Sequence, residues 1–141
     1  MQATFNTSPV TAAFLIGNAS PDFPGEQEPV DLSRMRAMVG DEPEDIRSLA
    51  SLYLGEAEKG FARLEAAVGS GSEEEVEQVA HKLGGTSAMC GMMGIVAPLR
   101  AMELSGRSGL GPNDEALLAE AGRQKNRISA YLHSHVLQGA A

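Results

Sequence analysis

The sequence is unusual first for what it lacks: aromatic residues, strand-forming runs and an excess of positive charge. Aromatic residues make up 4% of its 141 residues, and tryptophan is absent. No alternating β-branched run of strand length occurs, whereas alanine, leucine and the seven methionines favour helix. The length is sufficient for one domain with a hydrophobic core. We therefore expect a single all-α domain.

The shortage of positive charge restricts the partners. Lysine and arginine number 11 against 19 acidic residues, so the formal net charge is −8. Binding to a nucleic-acid backbone depends on lysine and arginine neutralising phosphates, so we expect no nucleic-acid partner. An acidic chain favours proteins with neutral or basic faces instead.

Cysteine and long apolar runs are also scarce. Cys90 is the only cysteine, which excludes an internal disulfide and a CxxC-type metal site. A lone thiol fits a reducing compartment. The short apolar stretch at 12–16 has no basic segment before it, unlike a signal peptide, and no run approaches transmembrane length. We expect a cytoplasmic protein without a membrane segment.

The chain divides into two parts by composition. Residues 1–29 contain four prolines among serine, threonine, asparagine and glycine, which is typical of a flexible tail or linker. Helical periodicity begins after them and continues to residue 138. Asp31 is expected to cap a short N-terminal helix that ends near Gly40.

Four longer amphipathic helices are expected to follow, because apolar residues recur at spacings of three and four. Short connections between them predict an antiparallel up-down four-helix bundle, which would occupy 30–138. The expected starts are Pro43, a capping box at Ser72 and Glu75, residues 93–95 and Asn113, and the expected breaks are 69–71 and 106–112.

One stretch of a predicted helix contains residues with a low helix propensity. His81 is followed at positions i+3 and i+4 by Gly84 and Gly85, and each interior glycine costs roughly 0.5–1 kcal/mol relative to alanine. Residues three and four apart share a helix face, so the two glycines clear the surface beside the imidazole. His81 lies about 200° around the helix from Leu83, which places it away from the core.

An exposed histidine beside such a cleared surface is able to react with a large partner. A neutral imidazole nitrogen is a nucleophile near neutral pH, and its attack on a phosphoryl group gives a phosphohistidine. Gln78 lies on the same helix face as His81. Lys82 carries a positive charge, but its side chain projects about 100° around the helix from that of His81. The alternative is an ordinary solvated histidine, and the double glycine favours a docking face over it.

The residues around this histidine match a known pattern. The stretch from Ala80 to Ser87, with Gly91 ten residues after the histidine, resembles the signature of histidine-containing phosphotransfer (HPt) domains. The run from Leu99 to Glu103 fits the Leu/Glu helix that follows in that family. The resemblance covers roughly 31–137. It implies that His81 carries a phosphoryl group between receiver-domain aspartates.

The resemblance also implies a receiver-binding surface and one departure from the family. The surface would comprise Gln78, Lys82, Gly84, Gly85 and Ala88, with Gly85 as the small residue that admits a receiver. The family usually has lysine three residues after the histidine, where this chain has Gly84. The implied partners are response-regulator receivers and a hybrid histidine kinase. No metal or cofactor is implied, apart from Mg²⁺ on the partner receiver.

These observations predict a monomeric phosphorelay intermediate, a phosphocarrier and not a turnover enzyme. The missing lysine leaves an alternative open, a helical adaptor that binds a receiver or a histidine kinase without accepting phosphate. The dimerisation domain of a histidine kinase would need an attached ATP-binding domain, and no nucleotide motif occurs in this sequence.

Overall fold

The computed structural model describes residues 27–138, so the predicted flexible tail lies almost entirely outside the described residues. Within that range the chain is all helical and contains no strand, which confirms the all-α prediction. The elements are α1 (Leu32–Val39), α2 (Pro43–Ser70), α3 (Glu73–Cys90), a 3₁₀ turn (Met93–Ile95), α4 (Val96–Ser108), α5 (Asp114–Leu132) and a π-helical turn (His133–Leu137).

Local signals set most of the helix ends. The Asp31 carboxylate accepts a hydrogen bond from the backbone N–H of Ser33 at 3.0 Å and so caps α1. Pro43 opens α2, where its missing N–H costs nothing. Gly91 ends α3 in the left-handed region at φ +84°. Its carbonyl accepts a hydrogen bond from the Asp31 N–H at 2.7 Å, which ties the start of α1 to the end of α3.

Two of the predicted signals were wrong. Ser72 does precede α3, but its side chain makes no capping hydrogen bond, so the predicted capping box does not form. The predicted break at 106–112 begins too early, because α4 continues through Gly106 to Ser108. A Cβ on Gly106 would lie 2.6 Å from the Glu77 nitrogen and 2.8 Å from the Glu73 carbonyl oxygen. This glycine therefore allows two helices to approach closely and does not end one.

Helix α3 lies between α2 and α4 and contributes a stripe to the core. The Tyr53 hydroxyl on α2 and the Ser87 hydroxyl on α3 form a buried hydrogen bond of 2.7 Å. Burial raises the pKa of Tyr53 to about 12, so this hydroxyl stays protonated. The predicted apolar stripe of α3 is buried throughout: Val76, Val79, Ala80, Leu83, Ser87 and Cys90.

The face of α3 beside α4 carries the histidine. Residues early in α3 meet residues late in α4, as Glu77 meets Arg107. Residues late in α3 meet residues early in α4, as Gly84 meets Arg100. The His81 side chain is 69% exposed, in agreement with the outward orientation that the periodicity predicts.

Candidate functional site

The imidazole of His81 is held at one nitrogen and open at the other. Its Nδ1 lies 2.8 Å from Oε2 of Glu103 on α4. An ionised carboxylate only accepts hydrogen bonds, so Nδ1 carries the proton and donates, and the neutral ring keeps its lone pair on Nε2. Within residues 27–138 Nε2 has no hydrogen-bond partner. The structure thus presents an oriented, exposed imidazole whose Nε2 is open.

Glu103 is a charged residue on the buried face of α4. Its side chain is only 10% exposed, and it accompanies buried Leu99, Met102 and Gly106 on the same face of the helix. The hydrogen bond from His81 is the main influence that lowers the pKa of its carboxyl, and Arg100 and Arg107 lower it further against the opposing effect of desolvation. Glu103 is therefore ionised at neutral pH.

Two arginines of α4 flank this carboxylate. A terminal nitrogen of Arg107 donates to Oε2 of Glu103 at 3.0 Å, and its Nε donates to Glu77 at 3.0 Å. A terminal nitrogen of Arg100 lies 3.4 Å from Oε1 of Glu103. Arg107 is thus bound by two carboxylates, whereas Arg100 has one long contact.

A shallow hollow on the protein surface is lined by His81 and by residues that precede it in α3. Gln78, which the sequence places on the face of His81, lines it together with Glu74 and Glu77. The Gln78 side-chain amide donates to Glu74 at 3.3 Å. The hollow is therefore acidic on α3, and Arg107 supplies its basic side from α4.

The two glycines after His81 differ in their surroundings. A Cβ on Gly85 would meet nothing within 4 Å, so this position opens onto free space, as the sequence predicts. Gly84 is buried, and a Cβ there would lie 3.5 Å from both Leu99 Cβ and a terminal nitrogen of Arg100. The lack of a side chain at Gly85 leaves the surface of α3 open, whereas the lack of one at Gly84 leaves room for α4.

The remaining residues of the predicted surface lie to either side. Ala88 is half-buried, and its carbonyl accepts a hydrogen bond from Arg34 of α1 at 3.2 Å. Lys82 is exposed and lines a separate groove between α2 and α3, with Lys59 and Arg63. The structure therefore does not bring Lys82 into the hollow that His81 lines.

Sequence reasoning did not assign a role to Glu103, Arg100 or Arg107. One signal for Glu103 was available, since Leu99, Met102 and Gly106 mark a buried stripe of α4 and a carboxylate stands within it. A charged residue at an apolar-stripe position requires a partner. The identity of that partner depends on the register between two helices.

Residues 27–138 contain no group of three or more histidine, cysteine, aspartate or glutamate side chains arranged to hold a metal ion. No helix in the same range is long and apolar enough to cross a membrane.

Comparison with known proteins places the chain in a family. The family model of the Hpt domain matches residues 48–141, which is more than half of the chain. The crystal structure of histidine-containing phosphotransfer protein B (HptB) from Pseudomonas aeruginosa PAO1 has a similar fold, with a TM-score of 0.73 and 17% identity. The likeness covers 80% of this chain and 98% of that one. No curated protein matches in sequence. The chain belongs to the Hpt domain family.

Proposed function

We propose that His81 accepts a phosphoryl group from the aspartate of one receiver domain and passes it to the aspartate of another. Membership of the Hpt family supports a phosphotransfer role in a phosphorelay. The observation that carries the assignment to His81 is its geometry. Nδ1 is held by Glu103 at 2.8 Å, and the ring is 69% exposed beside the open position at Gly85.

The accepting step follows from that geometry. The lone pair on Nε2 attacks phosphorus, an N–P bond forms, and the P–O bond to the receiver aspartate breaks and leaves a carboxylate. The proton on Nδ1 stays in place, so the ring gains positive charge as the bond forms. The ionised Glu103 beside Nδ1 stabilises that charge. Donation to the next receiver reverses the step.

The protein acts in this proposal as a phosphocarrier, and positioning supplies most of the catalysis. The receiver holds the Mg²⁺, and it docks over Gly85 with Gln78 and Ala88 at the edges of the contact. A hybrid histidine kinase heads the relay. Location in the cytoplasm and a monomeric state remain predictions.

We also propose that α2, α3, α4 and α5 form an antiparallel up-down bundle over 30–138. The order of contacts supports this arrangement for successive helices. Tyr53 and Arg63 of α2 contact Ser87 and Glu75 of α3 in reverse order along the chain. The contacts between α3 and α4 are reversed in the same way.

The proposal is tested by incubating the full chain with a phosphorylated receiver. We expect an acid-labile, base-stable label on this protein, because phosphoramidates hydrolyse in acid. The label should be absent from His81→Gln. His133→Gln is a matched control, since His133 is also exposed but lies in the C-terminal π-helical turn, and it should be labelled normally.

The same experiment addresses the adaptor alternative. If the wild type binds receivers from its source organism and none of them labels it, His81 is not a phosphoacceptor. Labelling of His81→Gln at the wild-type level would contradict the assignment to this residue.

A further inference from the structure

The guanidinium of Arg100 lies in the space above Gly84, one helical turn after His81. Its terminal nitrogen is 3.5 Å from the position that a Cβ on Gly84 would occupy. The same nitrogen is 3.4 Å from Oε1 of Glu103, and the other oxygen of that carboxylate is 2.8 Å from Nδ1 of His81. These distances place the cation next to the carboxylate that holds the imidazole.

A phosphorylated His81 would need a cation of this kind. The phosphoryl oxygens bring negative charge next to Glu103, which is already ionised. Like charges at short range repel, and enzymes that transfer phosphoryl groups offset such charge with arginine, lysine or a metal ion. Glu103 stabilises the positive charge of the phosphorylated ring but repels the negative phosphoryl oxygens. The site therefore requires a positive side chain that reaches those oxygens.

Among the nearby cations, Arg100 is the one least engaged by carboxylates in the residues that the structure describes. Arg107 is bound by Glu77 and Glu103 at 3.0 Å each, and Lys82 lines a different groove. Arg100 is 46% exposed, and its long contact with Glu103 is its only hydrogen bond within residues 27–138. A guanidinium has five N–H donors in a planar fork, so most of them remain for another acceptor.

We propose that Arg100 binds the phosphoryl oxygens on His81 and takes the place of the lysine that is missing at position 84. The inference rests on the proposed function of His81. The cation reaches the site from α4, and the lack of a side chain on Gly84 provides the space that it occupies. One planar group then bridges Glu103 and the phosphoryl group.

The test compares Arg100→Gln with Lys59→Gln. Both variants remove one exposed positive charge, but Lys59 lies on α2 and lines the groove between α2 and α3. Phosphoramidate, a small donor that needs no receiver, is used to phosphorylate the full chain, and the rate is followed by ³¹P NMR. We expect Arg100→Gln to slow phosphorylation roughly tenfold, as for loss of one charge-assisted hydrogen bond. Lys59→Gln should stay near the wild-type rate.

A second readout reports contact with the phosphoryl group directly. A neighbouring cation favours the more highly charged form, so loss of Arg100 should raise the pKa of the phosphoryl group in a ³¹P titration by roughly half a unit or more. Lys59→Gln should leave that pKa unchanged, and Arg100→Lys should restore part of both effects. Circular dichroism checks that each variant retains its helix content.

The outcomes separate this inference from the proposed function. If the wild type accepts no label from phosphoramidate or from any receiver, both are wrong. If His81 is labelled and Arg100→Gln matches the wild type in rate and in phosphoryl pKa, only the role of Arg100 is wrong. Equal losses in Arg100→Gln and Lys59→Gln would also refute it, because net charge alone would then explain the effect.

Discussion

Replacement of Glu103 tests whether one carboxylate both orients His81 and balances the charge of its phosphorylated ring. Glu103→Ala removes the acceptor that lies 2.8 Å from Nδ1, so the ring no longer favours the form with its lone pair on Nε2. Glu103→Gln keeps an oxygen acceptor of similar reach but removes the negative charge. We expect the alanine variant to lose the tautomer preference and the glutamine variant to keep it.

The expected magnitude follows from the exposure of the pair. Hydrogen bonds to charged groups contribute about 1.5–3 kcal/mol. The His81 side chain is 69% exposed, so solvent screens the interaction and the lower end of that range applies. Since about 1.4 kcal/mol corresponds to a tenfold change in rate, Glu103→Ala should slow phosphorylation of His81 roughly tenfold. Glu103→Gln should slow it less.

The pH dependence of folding has a definite sign at this residue. The pKa of Glu103 is lowered, chiefly by the hydrogen bond from His81. A carboxyl of this kind stabilises the fold above its unfolded pKa, and the contribution is lost as the pH falls through the folded pKa. In urea unfolding, acidification below the ordinary value of 4.5 should cost the wild type more stability than Glu103→Gln.

The assay combines ¹⁵N NMR of the imidazoles with phosphorylation by phosphoramidate. The ¹⁵N shifts report which ring nitrogen carries the proton. His133 is an internal control, because its Nδ1 contacts a backbone oxygen of its own helix, that of Ser129, at 2.8 Å. An unchanged His81 tautomer together with an unchanged rate in Glu103→Ala would refute the orienting role of the carboxylate.

The remaining predictions concern three glycines. Gly85→Arg should block transfer from a receiver while circular dichroism stays nearly unchanged, because a side chain there enters open space; full transfer would show that receivers dock elsewhere. Gly106→Ala should destabilise the protein by about 1–3 kcal/mol in urea unfolding, since its Cβ would overlap the backbone of Glu77 and Glu73. Gly55→Ala is the control, with nothing within 4 Å, and should gain about 0.5–1 kcal/mol. Equal changes in the two alanine variants would contradict the close helix approach.

Most helices were predictable because their signals are local. Asp31 and Pro43 mark helix starts through their own backbone chemistry, and the stripe of α3 follows a period that needs no knowledge of other helices. Gly106 was misread for a physical reason. A glycine that ends a helix and a glycine that lets another backbone approach look the same in a sequence, and only the position of α3 distinguishes them.

The amino-acid sequence by itself determined the outward direction of His81 and the open position at Gly85, because both depend on spacing within one helix. The tertiary structure alone decided what surrounds that histidine. Glu103 is 22 residues away along the chain, and Arg100 reaches the site only through the register of α4 against α3. That register depends on close packing at Gly84 and Gly106, where missing side chains bring the two helices together. Spacing within α3 places His81 on the surface, and packing between helices supplies the carboxylate that holds its ring.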